Sequence, residues 1–209
     1  MTSGRTRHNY TGTSVAERQV ERRALFIEAG LTVFAEKSYA NSSLTDVCAA
    51  AGLSRRQFYE QFAGREELLV AVYDVVQGRA REAVIAALAA VGTDDLRTLI
   101  EAALRAYTTA ITDDIRAAKV AFVEIVGVSP SVEEHRARVR DQWGEVVATV
   151  AAARDGVRTP PGGWRMAMAA FIGAVNGAVH QWSLDDPRPP VDDLVDVFTT
   201  LLNALTSPA

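Results

Sequence analysis

Hydrophobic residues recur every three or four positions along most of the chain, and no segment shows the strict alternation of a half-buried strand. A spacing of three to four follows the 3.6-residue turn of an amphipathic helix, whereas a strand places every second residue on one face. The first helix is predicted from Val15 to about Lys37. Its apolar face is expected to consist of Val20, Ala24, Ile27, Leu31 and Phe34. The pattern therefore predicts an all-α fold.

Start and stop signals predict two short helices immediately afterwards. Ser43 and Asp46 fit a Ser-x-x-Asp capping box, and Gly52 suits the left-handed position that follows a helix. Ser54 and Gln57 form a second capping box at the start of the next helix. Because only a short glycine-containing turn separates the two helices, the segment has the arrangement of a helix-turn-helix motif.

The rest of the chain is predicted to be helical as well. A long fourth helix follows Gly64, and segments rich in glycine and proline divide what remains. We expect further helices over residues 96–112, 115–128, 131–154, 164–184 and 191–205. Residues 1–14 are polar, basic and glycine-containing, so we expect a mobile arm there.

Composition narrows the class of protein. Hydrophobic residues make up 48% of the chain and charged residues 23%, which is ordinary globular usage. The single cysteine, Cys48, excludes an internal disulfide framework and a multi-cysteine zinc site. His8, His135 and His180 share no metal-ligand spacing, so we expect no metal and no cofactor. No apolar run resembles a signal peptide or a membrane span, and a soluble cytoplasmic protein is expected.

Charge is divided unevenly along the chain. Residues 1–65 contain nine Lys and Arg against six Asp and Glu, a net of +3, whereas residues 66–209 contain thirteen against twenty, a net of −7. A basic front suits contact with a polyanion. Arg55 and Arg56 occupy the first turn of the second short helix, the end that faces base edges in a helix-turn-helix, where arginine reads guanine or binds phosphate. A solvated surface pair is the alternative, and the surrounding turn favours DNA.

Residues 22–69, "RRALFIEAGLTVFAEKSYANSSLTDVCAAAGLSRRQFYEQFAGREELL", resemble the TetR-like bacterial transcriptional regulators. The residues that fall where that family's motif has them are Phe34, Gly52, Ser54, Tyr59, Phe62 and Leu68. The remainder of the chain is similar only in helical outline. The resemblance implies a three-helix DNA-binding domain over residues 15–65 and a larger helical ligand-binding and dimerisation domain over residues 66–209. It also implies a homodimer that binds a palindromic operator in double-stranded DNA.

Carried over position by position, the resemblance implies two sets of DNA contacts. The implied phosphate contacts are Ser43, Thr45, Ser54, Tyr59 and Arg65. The implied groove-facing residues are Arg55, Arg56, Gln57 and Gln61. Three positions depart from the family's usual pattern: Arg56 stands where a small residue is frequent, Arg65 replaces a lysine, and Cys48 replaces an alanine. We interpret Cys48 as a small buried side chain rather than a redox sensor.

The effector site is less well marked in the sequence. A regulator needs a ligand that distinguishes its DNA-competent state from its incompetent one. The candidate pocket residues are Tyr107, Phe122, Trp143, Asn176 and His180. Each of them also suits a core or interface position. As a set they predict a mostly apolar cavity for a small hydrophobic or aromatic molecule, oriented by Asn176 or His180. That the ligand relieves repression is implied by the resemblance alone.

A homodimer is predicted from the last two helices. Gly173 and Gly177 form a Gly-x-x-x-Gly that permits close helix packing, while polar neighbours make a membrane helix implausible. The last helix carries an apolar stripe of Val191, Leu194, Phe198, Leu201 and Leu205. Two alternatives to a regulator stay open: a helical scaffold without DNA binding, and an all-helical enzyme, for which the sequence shows no catalytic constellation.

Overall fold

The computed structural model describes residues 14–93, 95–152 and 159–206, and these residues form helices and no strand. The all-α prediction is confirmed. None of the helices in these ranges is long and apolar enough to cross a membrane. The helices are α1 (Val15–Lys37), α2 (Leu44–Ala51), α3 (Arg55–Tyr59), α4 (Arg65–Ala90), α5 (Leu96–Thr112), α6 (Ile115–Lys119), α7 (Pro130–Ala152), α8 (Gly163–Leu184) and α9 (Val191–Thr206). The predicted basic arm lies outside the described residues, except for Ser14.

Helices α1 to α3 pack around a small aromatic core. Phe26, Phe34, Phe58 and Phe62 are all fully buried or nearly so. The predicted apolar face of α1 is wrong at its beginning, because Val20 is 71% exposed and Ala24 is exposed too. The first turns of α1, as far as residue 21, are exposed on every side and reach past the core, so their apolar residues have nothing to pack against.

The predicted helix over residues 115–128 is shorter and less regular than expected. After Lys119 the backbone continues as a π-helical turn, Val120–Glu124, in which the Ile125 amide donates to the Val120 carbonyl at 3.2 Å. Gly127 then adopts a φ of +72°, which ends the helical run. Helix α7 begins with Pro130, the residue type favoured at a first helical position.

The remaining helices enclose a second core. Helix α4 packs along α5, and α9 packs against α5 and α8. Polar contacts join this larger region to α1. Arg116 donates from Nη1 to Glu28 Oε1 at 2.9 Å and to Thr32 Oγ1 at 2.8 Å, and the Tyr39 amide donates to the Glu124 carboxylate at 2.7 Å. The Lys119 ammonium also donates to the Ala35 carbonyl. Helix α6 and the π-helical turn therefore lie at the junction of the two regions.

Candidate DNA-binding face and effector chamber

Two capping boxes fix the ends of the helices in the helix-turn-helix. Ser43 Oγ accepts from the Asp46 amide at 3.1 Å, and the Asp46 carboxylate accepts from the Ser43 amide at 2.8 Å. Gly52 follows α2 with a φ of +64°, a left-handed conformation that most residues resist. Ser54 and Gln57 repeat the box at the start of α3. The predicted caps and turn are confirmed, and together they set the direction of α3.

Helix α3 has a buried side and an exposed side. The Phe58 ring is fully buried and meets the Phe26 ring edge to face at 5.2 Å, which holds α3 against α1. On the other side Arg55 and Arg56 are exposed, Arg56 to 90%, and Tyr59 is 59% exposed. Arg56 Nε lies 3.4 Å from Glu60 Oε1, a contact too exposed to hold the guanidinium firmly. Both arginines and Tyr59 are therefore available to a partner.

The other predicted DNA contacts differ in their exposure and in the hydrogen bonds that they form within the protein. Ser43 and Thr45 are exposed at the start of α2. The Gln57 side chain is half-buried, and its Oε1 accepts from the Ser54 amide at 2.9 Å, which leaves the Gln57 NH₂ group as the available donor. Gln61 is half-buried, and its carbonyl accepts from Arg23 Nη1 at 2.9 Å. Ser54 and Gln57 thus serve first as capping residues.

Arg65, a predicted phosphate contact, also forms bonds within the protein. Its Nη1 donates to the carbonyls of Tyr39 and Ser42 and to Ser42 Oγ, and its guanidinium stacks over the Tyr39 ring at 4.9 Å. The side chain is half-buried. These contacts tie the start of α4 to the segment before α2. Because these bonds use Nη1 of a half-buried guanidinium, Arg65 as a phosphate contact stays a prediction.

Cys48 lies in the interior, as the sequence analysis expects. The side chain is buried on the inner face of α2. Burial raises the pKa of the Cys48 thiol, and the positive charge of Arg55 opposes that rise. A thiol with a raised pKa is a poor nucleophile at neutral pH. Among the residues that the structure describes, no group of three or more His, Cys, Asp or Glu side chains is placed to hold a metal ion.

An apolar chamber of about 110 Å³ lies between α4, α5, α7, α8 and α9. Its wall includes Val84, Leu99, Leu104, Val147, Met168, Phe171 and Leu202. Three of its lining residues carry a polar side-chain group: Tyr107, Trp143 and Thr206. Trp143 Nε1 donates to Gln77 Oε1 at 3.1 Å, and Thr206 Oγ1 donates to the Leu202 carbonyl at 2.9 Å. The Tyr107 hydroxyl interacts with the Gln77 side chain as well, so all three polar groups are already engaged within the protein and the chamber suits an apolar molecule.

The structure brings together two of the predicted pocket residues. Tyr107 and Trp143 both line the chamber, and their rings meet edge to face at 5.3 Å. Burial raises the pKa of the Tyr107 hydroxyl, which therefore stays protonated at neutral pH. The aliphatic lining was not predicted, because leucine and valine at helical spacing are equally typical of a closed core.

Three predicted pocket residues lie elsewhere. Phe122 is buried in the π-helical turn and forms part of the protein core rather than the chamber wall. His180 Nδ1 lies 3.3 Å from the Phe122 carbonyl, a contact that the irregular turn makes possible, and His180 does not line the chamber. Asn176 borders a smaller neighbouring cavity. The prediction is corrected at Phe122 and His180.

The predicted dimer surface needs a correction on α9, and the rest of it stays a prediction. Gly173 and Gly177 are exposed on α8, with open space where a Cβ would stand. On α9, however, Leu194 and Phe198 are buried inside the protomer, because this face of the helix packs against α5 and α8. Val191 and Leu205 are half-buried against the same core. The large apolar residues exposed on α9 are Val197, at 49%, and Leu201, at 38%.

Comparison with known proteins decides the family. A family model described as "Bacterial regulatory proteins, tetR family" matches residues 26–72, and one described as "MftR C-terminal domain" matches residues 94–206, over half of the chain. The chain belongs to the TetR family of bacterial regulators. It is therefore a DNA-binding transcriptional regulator.

Relatives of this TetR-family protein agree with that assignment. The HTH-type transcriptional regulator CymR of Pseudomonas putida is 29% identical over 149 residues, which cover 67% of this chain and 72% of CymR. The fatty acid degradation regulator FadR of Bacillus halodurans has a similar fold, with a TM-score of 0.74 at 16% identity over 87% of this chain and 94% of FadR. FadR of Bacillus subtilis, solved in complex with stearoyl-CoA, has a TM-score of 0.72 at 17% identity, over 89% and 98% of the two chains.

Proposed function

We propose that this TetR-family regulator is a repressor that binds a palindromic operator as a homodimer and releases it when an apolar effector fills the chamber. The observation that carries the proposal is the chamber itself. The surface that its wall presents to a ligand is almost entirely hydrocarbon, and its three polar side chains are already engaged within the protein. A preformed apolar cavity of this kind is the usual form of a small-molecule site.

The DNA-binding half of the proposal rests on α2 and α3. We assign the DNA-binding domain to residues 15–65 and the effector and dimerisation domain to residues 66–209. Arg55 and Arg56 are the groove-facing residues, with Tyr59 and Thr45 as phosphate contacts at either side. All four are exposed, and Phe58 holds the helix behind them. Losing one base-reading arginine should cost about 1–3 kcal/mol and relax sequence preference.

A homodimer follows from the geometry of DNA. One chain presents one recognition helix, and reading two half-sites about 34–36 Å apart takes two. The proposed interface is the exposed face of α8 and α9. Gly173 and Gly177 permit close approach there, and Val197 and Leu201 provide exposed apolar surface. Exposed apolar side chains on adjacent helices are typical of an interface between subunits.

Helix α4 provides a physical connection between effector and DNA. It begins at Arg65, which is hydrogen-bonded to the segment before α2, and its other end supplies Val84 to the chamber wall. A ligand that moves the second half of α4 can therefore change the position of α3. The complex of the similarly folded Bacillus subtilis FadR with stearoyl-CoA supports a long apolar ligand in this architecture. DNA as the target supports a cytoplasmic location.

The test uses operator binding with and without an apolar probe. The purified protein first selects its operator from random DNA, and operator affinity is then titrated at fixed salt. We expect 1-decanol to lower that affinity. Ala103→Phe, which fills the chamber, should abolish the response, whereas Ala86→Phe, the same change at an exposed position on α4, should preserve it. A response that survives Ala103→Phe would show that the effector binds elsewhere.

A further inference from the structure

A second and smaller cavity adjoins the apolar chamber. It has a volume of about 20 Å³. Tyr107, Trp143 and Ile172 line both spaces, so the two share a wall. The side cavity is polar where the chamber is not: its other lining residues include Tyr73, Gln77, Arg136, Arg140 and Asn176.

Two of these side chains have unused hydrogen-bonding capacity. Within the part of the chain that the structure describes, neither the Tyr73 hydroxyl nor the Asn176 amide forms a hydrogen bond with the protein. Tyr73 is nevertheless 6% exposed, and burial raises its pKa to about 12, so the hydroxyl remains a donor at neutral pH. Buried polar groups in proteins are nearly always paired. Tyr73 is buried and Asn176 half-buried, and neither is among the side-chain atoms that are shut off from solvent without a partner, so both groups can bind a molecule that reaches the cavity.

The two arginines at the cavity differ in their partners. Arg136 Nη1 donates to both carboxylate oxygens of Glu133, at 2.7 and 2.8 Å, so its charge is balanced. Arg140, one turn further along α7, is half-buried and forms no ion pair among the described residues. It also borders an outer groove between α7 and α8, which brings solvent close. Arg140 thus supplies a positive charge at the end of the side cavity, and the Glu133 carboxylate, which is hydrogen-bonded to Arg136, balances that charge only at longer range.

We propose that the effector is an amphipathic acid, whose apolar body fills the chamber and whose anionic group is bound in the side cavity by Arg140 with Tyr73 and Asn176. This proposal rests on the chamber being the effector site. A carboxylate accepts several hydrogen bonds at once, which suits a guanidinium, a hydroxyl and an amide converging from α7, α4 and α8. A neutral ligand of the same shape leaves the Arg140 charge without a partner and binds less tightly.

The experiment compares two probes with the same hydrocarbon chain, decanoate and 1-decanol. Binding of each to the full-length protein is measured by isothermal titration calorimetry at pH 7.5, with Trp143 fluorescence as a second signal. We expect decanoate to bind about ten- to a hundredfold more tightly than decanol, which is the range for a hydrogen bond to a charged group. Arg140→Gln should remove that preference and leave decanol affinity unchanged.

Matched variants separate binding from folding. Arg138→Gln makes the same change at an exposed position on α7 and should alter the affinity of neither probe. Tyr73→Phe removes a donor and keeps the ring, so decanoate affinity should fall severalfold while decanol affinity holds. Thermal unfolding identifies any variant that does not fold. If Arg140→Gln does not fold, the decanoate affinity of Tyr73→Phe decides whether the side cavity binds the acid.

The outcomes distinguish this proposal from the one on which it rests. If decanol binds, loses affinity in Ala103→Phe, and is bound as tightly as decanoate, the anionic site is overturned and the apolar chamber stands. If the preference for decanoate survives both Arg140→Gln and Tyr73→Phe, the side cavity is likewise not the site of the acid. If neither probe binds the wild-type protein, both proposals fall.

Discussion

The helix-turn-helix region and the chamber region use buried apolar residues in different ways. In α1 to α3 aromatic rings fill the centre, and Phe26 meets both Phe58 and Phe62 edge to face, at 5.2 and 6.4 Å. Around the chamber, aliphatic side chains from five helices surround a space that they do not fill. The first region is packed as a rigid unit, whereas the second retains room for a ligand.

The two regions also differ in how the starts of their helices are capped. In the first, every helix begins at a serine cap that closes a capping box, so each boundary is defined locally. In the second, α5 and α6 begin at aspartate caps, whereas α4 and α8 follow glycine N-caps that form no side-chain hydrogen bond. A helix whose start is held by tertiary packing rather than by a side-chain cap can shift when a ligand changes that packing. The helix-turn-helix region needs to keep its geometry in order to bind DNA, and the chamber region needs to change its geometry when a ligand binds.

The largest effect on stability is expected when one fully buried phenylalanine is substituted in each region. Phe58→Ala and Phe198→Ala should each cost about 3–5 kcal/mol of unfolding free energy, because both rings are fully buried. All three tryptophans lie in the larger region, at positions 143, 164 and 182. Phe58→Ala should therefore produce an early transition in circular dichroism without a tryptophan fluorescence change, and Phe198→Ala should lower the fluorescence transition. Identical curves from both signals in both variants would mean that the regions unfold as one unit.

The second test makes the same substitution at two glycines and expects opposite signs. Gly52 has a φ of +64° after α2, so Gly52→Ala should cost about 1–2 kcal/mol through backbone strain alone, since no atom lies near the added Cβ. Gly78 lies inside α4, also with open space around its Cβ position. Gly78→Ala should stabilise the protein by about 0.5–1 kcal/mol. Urea unfolding of the two variants measures both values, and a neutral Gly52→Ala would contradict the role of the turn.

This contrast shows which parts of the fold can be predicted from sequence. Both ends of α2 and the start of α3 were predicted correctly, because Ser43, Gly52 and Ser54 act through hydrogen bonds and dihedral angles that are local in sequence. The end of α6 was missed, because a π-helical turn depends on the fit of Val120–Glu124 between neighbouring helices. The spacing of apolar residues along α1 could not show that Val20 lies beyond the core, because the burial of a helix face depends on what packs against it.

A third test concerns the junction between the two regions. Arg116 contacts Glu28 and Thr32 of α1 and Asp114 of its own region, with Nη2 2.7 Å from Asp114 Oδ2. Arg116→Gln should reduce the effect of a bound effector on operator affinity about two- to fivefold, equivalent to 0.5–1 kcal/mol for a partly exposed ion pair. Arg105→Gln is the control, because Arg105 pairs with Glu101 and Asp192 inside the larger region. Equal losses in both variants would rule out a special role for the junction.

The sites were harder to predict than the helices. Tyr107 and Trp143, which line the chamber, were chosen as large aromatic residues with a polar group on the middle helices, although each also suited a core position. Phe122 and His180 were misplaced because their directions depend on the π-helical turn. Leu194 and Phe198 looked like an interface because an apolar stripe does not say whether its partner is the same chain or another copy. Arg140 has no sequence signal at all, since its importance comes from lacking a partner that Arg136 has.

The smallest expected effect is the pH dependence of stability at the capping box of α2, in the helix-turn-helix region. The Lys37 ammonium, hydrogen-bonded to the Asp46 carboxylate, together with bonds from Ser43 lowers the pKa of Asp46 from its ordinary 3.8 to about 2. A carboxyl group with a lowered folded-state pKa stabilises the fold above its ordinary pKa, and this contribution is lost as pH falls through about 2. Wild type should therefore be slightly more stable than Asp46→Asn at pH 5 and above, because the pair is exposed and screened by solvent. The difference should shrink between pH 4 and pH 2 and vanish below. Circular dichroism melts of the two proteins across that range measure it, and a difference that stays constant down to pH 2 would show that Asp46 acts through its shape in the capping box rather than through its charge.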